Sequence, residues 1–218
     1  MLKVYHCISA RSFRPLWTLE EMGLSYKLTM LPFPPRVFAK DYLAINPLGT
    51  IPTLFDDDMR MTESAAICHY LAAKHGPSPL AVDMTEPDYG RWLNWLYMSD
   101  ATLTFPQTLV LRYAKLEPPE RRLPQAAEDY KKWFLGRLRV VEEATGQAEY
   151  LAAGRFTVAD ITVGYALMLA EILGMGVEFG PNVAAYWTRL KSRPAYARAL
   201  EVQTRAMADQ KVPAGVTV

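Results

Sequence analysis

The feature that most constrains this chain is the stretch at residues 46–70, NPLGTIPTLFDDDMRMTESAAICHY, where a turn, a proline, a short apolar strand and a helix start follow without a gap. Asn46-Pro47-Leu48-Gly49 is a turn signal, Thr53-Leu54-Phe55 reads as a strand, and Asp56-Asp57-Asp58 as a polar hairpin turn. The pair Glu63-Ser64 then opens an apolar helical segment. Pro52 cannot donate to a sheet ladder, so at the first position of a strand it marks an edge and is a candidate for a cis bond. That leaves the main chain of Ile51 to pair with something other than the sheet. A helix starting at Ser64 turns its unsatisfied N–H groups and partial positive charge to the same side, which suits a carboxylate. The stretch reads as a cradle for an extended, peptide-like anion.

The segments around it supply a frame. Residues 2–6 read as a buried strand and 13–22 as a helix with Pro15 in its first turn, where a missing N–H costs nothing; Gly23 stops it. A second strand is expected over 26–31, a short helix over 37–43, a hairpin from 53–55 and 60–62, and a helix over 64–74. The order βαβαββα, with a proline before its third strand, is that of a thioredoxin-like α/β domain, assigned to 1–77. His75-Gly76-Pro77-Ser78-Pro79 is a linker by composition.

Beyond the linker the expected elements are all helical and are assigned to a second domain at 84–210. They are 89–111, kinked at Pro106; 124–145, with Tyr130, Phe134, Leu138 and Val141 on one face; 157–173, apolar nearly all round and therefore central; and a last helix opened by Arg193-Pro194-Ala195. Thr157 and Asp160 have capping-box spacing, and Phe156 with Ile161 has the spacing of a hydrophobic staple. That pair is expected to be structural, and the chain from about residue 211 to fray.

Composition narrows the function. The 218 residues are half hydrophobic and long enough for two modest cores, and 24 basic against 23 acidic side chains argue against a general nucleic-acid partner. No apolar run approaches 18 residues and no leader pattern is present, so a soluble cytoplasmic protein without membrane partners is expected. Cys7 and Cys68 lack metal or redox spacing, and His6, His69 and His75 form no ligand cluster, so neither a disulfide framework nor a metal is expected.

The central motif resembles that of the cytosolic glutathione transferases, and FTVADIT at 156–162 is similar to that family's helical capping motif. The resemblance spans nearly the whole chain. It implies a thioredoxin-like N-terminal domain, an all-α C-terminal domain, glutathione as co-substrate and a homodimer. It implies that Ile51, before Pro52, pairs main chain to main chain with the cysteinyl part of glutathione, while Glu63 and Ser64 hold the γ-glutamyl end. Arg36 and Lys40 are candidates for the glycyl carboxylate.

The family places its thiol-activating residue on the turn after the first strand, here residues 7–14, CISARSFR. Ser9 falls where the zeta class has its catalytic serine, Ala10 where the theta class has its own, and Arg11 where the beta class has cysteine; no tyrosine stands on the turn. Ser9 is therefore the first candidate and Ser12 the second, with Ser12 also expected to cap the helix. Arg11 and Arg14 are candidates for a positive field at this mouth, and Cys7 is expected to be packed and inert. The task is to favour thiolate: lowering a thiol pKa of about 8.5 by about two units takes roughly 2.7 kcal/mol. One hydroxyl hydrogen bond to a charged acceptor supplies about 1.5 to 3 kcal/mol, and a helix N-terminus about 0.3 to 1.

The second substrate is expected to be a small hydrophobic electrophile, met by the aromatic-rich first helix of the second domain, with Tyr97, Met98 and Tyr113 as the candidate contacts. The reading is a glutathione S-transferase. A glutathione-dependent isomerase, an ether-cleaving enzyme or a dehalogenase would use the same thiolate, and a non-catalytic binding protein would keep the fold without turnover.

Overall fold

The computed structural model describes residues 1–213; the expected tail lies, from residue 214 on, outside the described residues. The chain divides into two compact units, Met1–Ser78 together with the segment from Ser192, and Pro79–Lys191.

In the first unit the sheet has the order β2-β1-β3-β4. Strand β1 (Leu2–His6) pairs parallel with β2 (Tyr26–Met30), from Leu2 opposite Tyr26 to His6 opposite Met30, and antiparallel with β3 (Thr53–Asp56), which pairs antiparallel with β4 (Met59–Met61). The parallel pair needs a crossover, and α1 (Phe13–Met22) provides it. Gly23 ends α1 in a left-handed conformation at φ 63°, its N–H returning to the Leu19 carbonyl. Side chains alternate along β1, so Leu2, Val4 and His6 share the buried face. Leu2 and Val4 pack there with Leu19, Leu54, Ile67 and Leu71, under α1 and α3 (Ser64–Lys74).

The helix expected over 37–43 is two pieces, α2 (Pro35–Phe38) and a 3₁₀ turn at Lys40–Ala44, separated by Ala39. Pro35 at the first helical position starts it early, and Val37 and Phe38 stay exposed, so no buried stripe sustains a longer helix.

The last helix, α9 (Pro194–Asp209), belongs to this first unit, whereas the sequence reading counted it within 84–210. Its stripe Ala195, Tyr196, Ala199 and Gln203 is buried, and the Tyr196 ring meets Trp17 at 4.9 Å and Phe13 at 5.6 Å on α1. Arg193 holds both carboxylate oxygens of Glu21, at 2.6 and 2.9 Å. The apolar face of α1 is wider than the sheet can cover, and α9 covers the remainder.

The second unit is helical: α4 (Tyr89–Met98), α5 (Phe105–Leu111), α6 (Pro124–Gln147), α7 (Val158–Ile172) and α8 (Pro181–Lys191). Every residue of α7 from Val158 to Ala170 is buried, as its all-round apolarity requires. Its capping box is complete, with the Thr157 N–H donating to Asp160 at 2.8 Å and the Thr157 hydroxyl accepting from the Ala159 N–H at 3.2 Å. The kink expected at Pro106 takes the form of a π turn over Ser99–Thr104, in which the Phe105 N–H reaches the Asp100 carbonyl. Widening the turn spares the proline ring a clash with the carbonyl four residues back. Helix α8 was not foreseen; the proline opening it, after Gly180, is the signal that marks it.

Candidate active site

The turn between β1 and α1 is organised by a chain of hydrogen bonds within the first unit. Ser9 is half-buried and held at φ 54°, a conformation that costs a residue with a side chain about 1 to 2 kcal/mol. Its N–H donates to Gln203 Oε1 at 2.9 Å. A backbone N–H can only donate, so the atom it meets is the amide oxygen, and that oxygen fixes the rest of the chain. His6 Nε2, 3.0 Å from the same oxygen, must carry a proton. His6 Nδ1 is then an acceptor and takes the Ser12 hydroxyl proton at 2.6 Å, while Ser12 Oγ accepts the Cys7 N–H at 3.2 Å. Burial, only partly offset by these bonds, drives the His6 pKa down to about 4, so the ring is neutral at physiological pH.

Two expectations change here, for Ser12 and Arg14, and the one for Cys7 holds. Ser12 stands at the N-cap position of α1, but its side chain makes no cap bond and turns back to His6 and Cys7. Arg14 is not at a mouth: it is completely buried beneath the turn, with Nη1 donating to Ser64 Oγ at 2.9 Å. Its length lets α1 reach the start of α3, and a buried guanidinium needs such acceptors. Cys7 is buried, its thiol pointing at the Pro32 carbonyl 3.7 Å away, and burial pushes its pKa to about 12, which leaves no thiolate at neutral pH.

Across from the turn lie the residues of the central motif. The Ile51–Pro52 bond is cis, Pro52 stands immediately before β3, and the N–H and C=O of Ile51 have no partner among the described residues. The approach is fixed by Tyr42 and Asn46, whose side chains both donate to the Thr50 carbonyl at 2.8 Å, and by Gly49 at φ 59°, where a Cβ would meet the Arg36 Cβ at 2.7 Å. Glu63 is the exposed N-cap of α3 and Ser64 its buried first residue. Ser64 Oγ accepts from Arg14 and, as a hydroxyl, keeps one proton to donate, on the residue that opens α3 beside its first N–H groups. A site with an acidic side chain, a donor hydroxyl and a helix N-terminus can take both ends of an α-amino acid.

Arg36 and Lys40 are exposed, and no bond brings either to this cradle. In the second unit Trp92, Trp95 and Leu103 are buried core, Tyr97 is 73% exposed, and Met98 and Tyr113 are half-buried. Among the described residues no cluster of acidic, histidine or cysteine side chains could hold a metal ion, and no helix is long and apolar enough to cross a membrane.

His6 and Gln203 were missed as parts of the site, and Arg14 was expected at its mouth rather than beneath it. The signal for the first two was available: His6 alternates with Leu2 and Val4 on an inner face, and Gln203 continues the buried stripe of Tyr196 and Ala199, so each is a polar group where only a partnered one survives.

Comparison with known proteins places this geometry. The family described as Glutathione S-transferase, N-terminal domain, matches residues 8–74. Glutathione S-transferase F13 of Arabidopsis thaliana is 31% identical over 202 residues, covering 87% of this chain and 90% of its own. Glutathione S-transferase GstB of Escherichia coli strain K12 is 28% identical over 190 residues, covering 83% and 88%. The solved structure of Ure2p5 from Phanerochaete chrysosporium, cocrystallised with 1-(S-glutathionyl)-2,4-dinitrobenzene, superposes with a TM-score of 0.82 at 27% identity over 95% of this chain and 96% of that one. With a thioredoxin-like sheet, a helical second unit and a relative this similar along most of its length, the chain belongs to the glutathione S-transferase family.

Proposed function

We propose that this glutathione transferase makes its thiolate with the Ser9 hydroxyl. The observation that carries the reading is the layout of the turn: the Ser12 hydroxyl is buried and turned inward to His6 Nδ1, whereas Ser9 is half-exposed and anchored through its main-chain N–H to Gln203. A Ser9 hydroxyl donated to sulfur, with the N-terminus of α1 nearby, supplies about 2 to 4 kcal/mol, enough to bring a thiol from a pKa of about 8.5 to near neutrality.

Glutathione is the co-substrate. In the proposed pose its cysteinyl main chain pairs with Ile51 beside Pro52, its γ-glutamyl ammonium meets Glu63, and its γ-glutamyl carboxylate meets the Ser64 hydroxyl and the first N–H groups of α3. The bound thiolate then attacks a small apolar electrophile held close by, so that the reaction gains from proximity. Contacts with the electrophile are assigned to Tyr97, Met98 and Tyr113. The conjugate held by the Phanerochaete protein makes an activated haloaromatic the first electrophile to try. Two buried, unpaired cysteines fit a reducing cytoplasm, and family membership supports a homodimer.

The test is retention on immobilised glutathione and conjugation of an activated haloaromatic, with Ser9→Ala losing most turnover while still binding glutathione. A fully active Ser9→Ala beside an inactive Ser12→Ala would reverse the assignment. Retention without any glutathione-consuming reaction would favour a binding protein.

A further inference from the structure

We propose that Gln203, on the last helix and seated by His6, is a positioning residue that holds Ser9 where its hydroxyl can reach the glutathione sulfur; this rests on the reading of Ser9 as the thiol activator. A serine does not keep a left-handed conformation unaided, and the turn has no glycine at that position. Its N–H bond to Gln203 Oε1, at 2.9 Å and across 194 residues of sequence, ties Ser9 to the last helix. Gln203 cannot swing away: it is 2% exposed, and its oxygen also takes the His6 Nε2 proton at 3.0 Å. His6 is fixed in turn by the Ser12 hydroxyl at 2.6 Å, and Ser12 by the Cys7 N–H. The strand end, the turn and α9 thus share one acceptor oxygen. Removing that oxygen frees Ser9 to relax to an ordinary φ and carries its hydroxyl away from the sulfur. The binding contacts at Ile51, Glu63 and Ser64 hang from other elements and stay in place. A reactive group held within a few tenths of an ångström depends on such support.

The experiment titrates the thiol of bound glutathione by its ultraviolet thiolate absorbance, with glutathione Kd by calorimetry, kcat with an activated haloaromatic, and the melting temperature. Gln203→Met, close in shape but without the acceptor, should raise the bound thiol pKa by about one unit and lower kcat about tenfold, with Kd changed less than about threefold. Gln203→Glu, which restores an acceptor oxygen, should recover most of that loss. A folded Gln203→Met with the wild-type thiol titration overturns the inference, as does a parallel loss of glutathione affinity, kcat and melting temperature with the titration unmoved. If Gln203→Met does not fold, Gln203→Asn, one methylene too short to reach both partners, must show the raised thiol pKa, and a wild-type titration there overturns it equally. Ser9→Ala separates the two claims. If it leaves the titration unmoved, the reading of Ser9 falls and this inference with it; if it moves the titration while Gln203→Met does not, only the role of Gln203 falls.

Discussion

His6 in the first unit and Asp160 in the second are both completely buried, and both are the hub of a hydrogen-bond network that joins distant segments. Asp160 takes the N–H groups of Leu151 and Thr157 and the hydroxyls of Thr157 and Tyr186, all of them inside the unit. The His6 network runs through Gln203 to Ser9, whose side chain is half-exposed. One network is closed at every end and only holds structure; the other has an end in reach of a substrate. The contrast teaches that burial alone does not mark function. What marks it is whether the buried chain of donors and acceptors emerges at a group that can act.

The comparison can be broken most forcefully at Asp160. Asp160→Ala leaves two N–H groups and a buried Tyr186 hydroxyl without their acceptor, a loss of about 3 to 5 kcal/mol, read as a large fall in melting temperature with kcat per folded molecule unchanged. Lost turnover at an unchanged melting temperature would mean that the second network is not merely structural.

Acid titration sharpens the contrast, because the two hubs pull in opposite directions. The folded-state pKa of His6 is lowered from 6.5 to about 4, so as pH falls the unfolded chain takes its proton first; the His6 contribution, at most about 3 kcal/mol, is complete above pH 6.5 and is lost toward pH 4. Burial raises the Asp160 carboxyl from 3.8 to about 6 against its hydrogen bonds, so its contribution is complete below about pH 4 and is lost as pH rises through 6. Denaturant unfolding between pH 4 and 7 should show a shallow net dependence. His6→Asn should leave a falling stability and Asp160→Asn a rising one, and equal profiles in both variants would dismiss the opposition.

Ser9→Ala is expected to lower kcat about a hundredfold, the worth of one hydrogen bond to a charged sulfur, with little change in glutathione Kd by calorimetry. Ser12→Ala is the mildest: it removes the proton given to His6 and the acceptor of the Cys7 N–H, costing about 1 to 2 kcal/mol of stability and only a few-fold in turnover. A larger kinetic effect from Ser12 than from Ser9 would exchange their roles.

Much of this was legible in the residues because it rests on local chemistry. Pro52 at a strand start, Glu63-Ser64 at a helix start, Gly23 at a helix end and Thr157 with Asp160 as a capping box each declare themselves within a few positions. The misreadings of Ser12, Arg14 and α9 concern distance along the chain. Arg14 and Ser12 face inward because of what α3 and β1 place beneath them, which no local pattern on the turn reveals. Helix α9 was assigned by its neighbours in sequence, yet Tyr196 and Gln203 meet partners about 180 residues or more away, at Trp17, Phe13, His6 and Ser9. The exposed stripe of α2 shows the converse: Val37 and Phe38 look like a helix face on paper, and without a surface to bury against they do not extend one.

The π turn before Pro106 has an evolutionary corollary. Such a turn is an α-helix carrying one surplus residue, so deleting a position between 99 and 104 would restore regular winding and rotate all that follows by about 100°, while Tyr97 and Met98 kept their heading. Regular winding, however, would set the ring of Pro106 against the carbonyl of the residue four positions before it. Deletion and proline loss are therefore ordered: a descendant can re-aim this stretch of helix only if the proline goes first or together with the deleted residue, because the deletion alone sets ring against carbonyl.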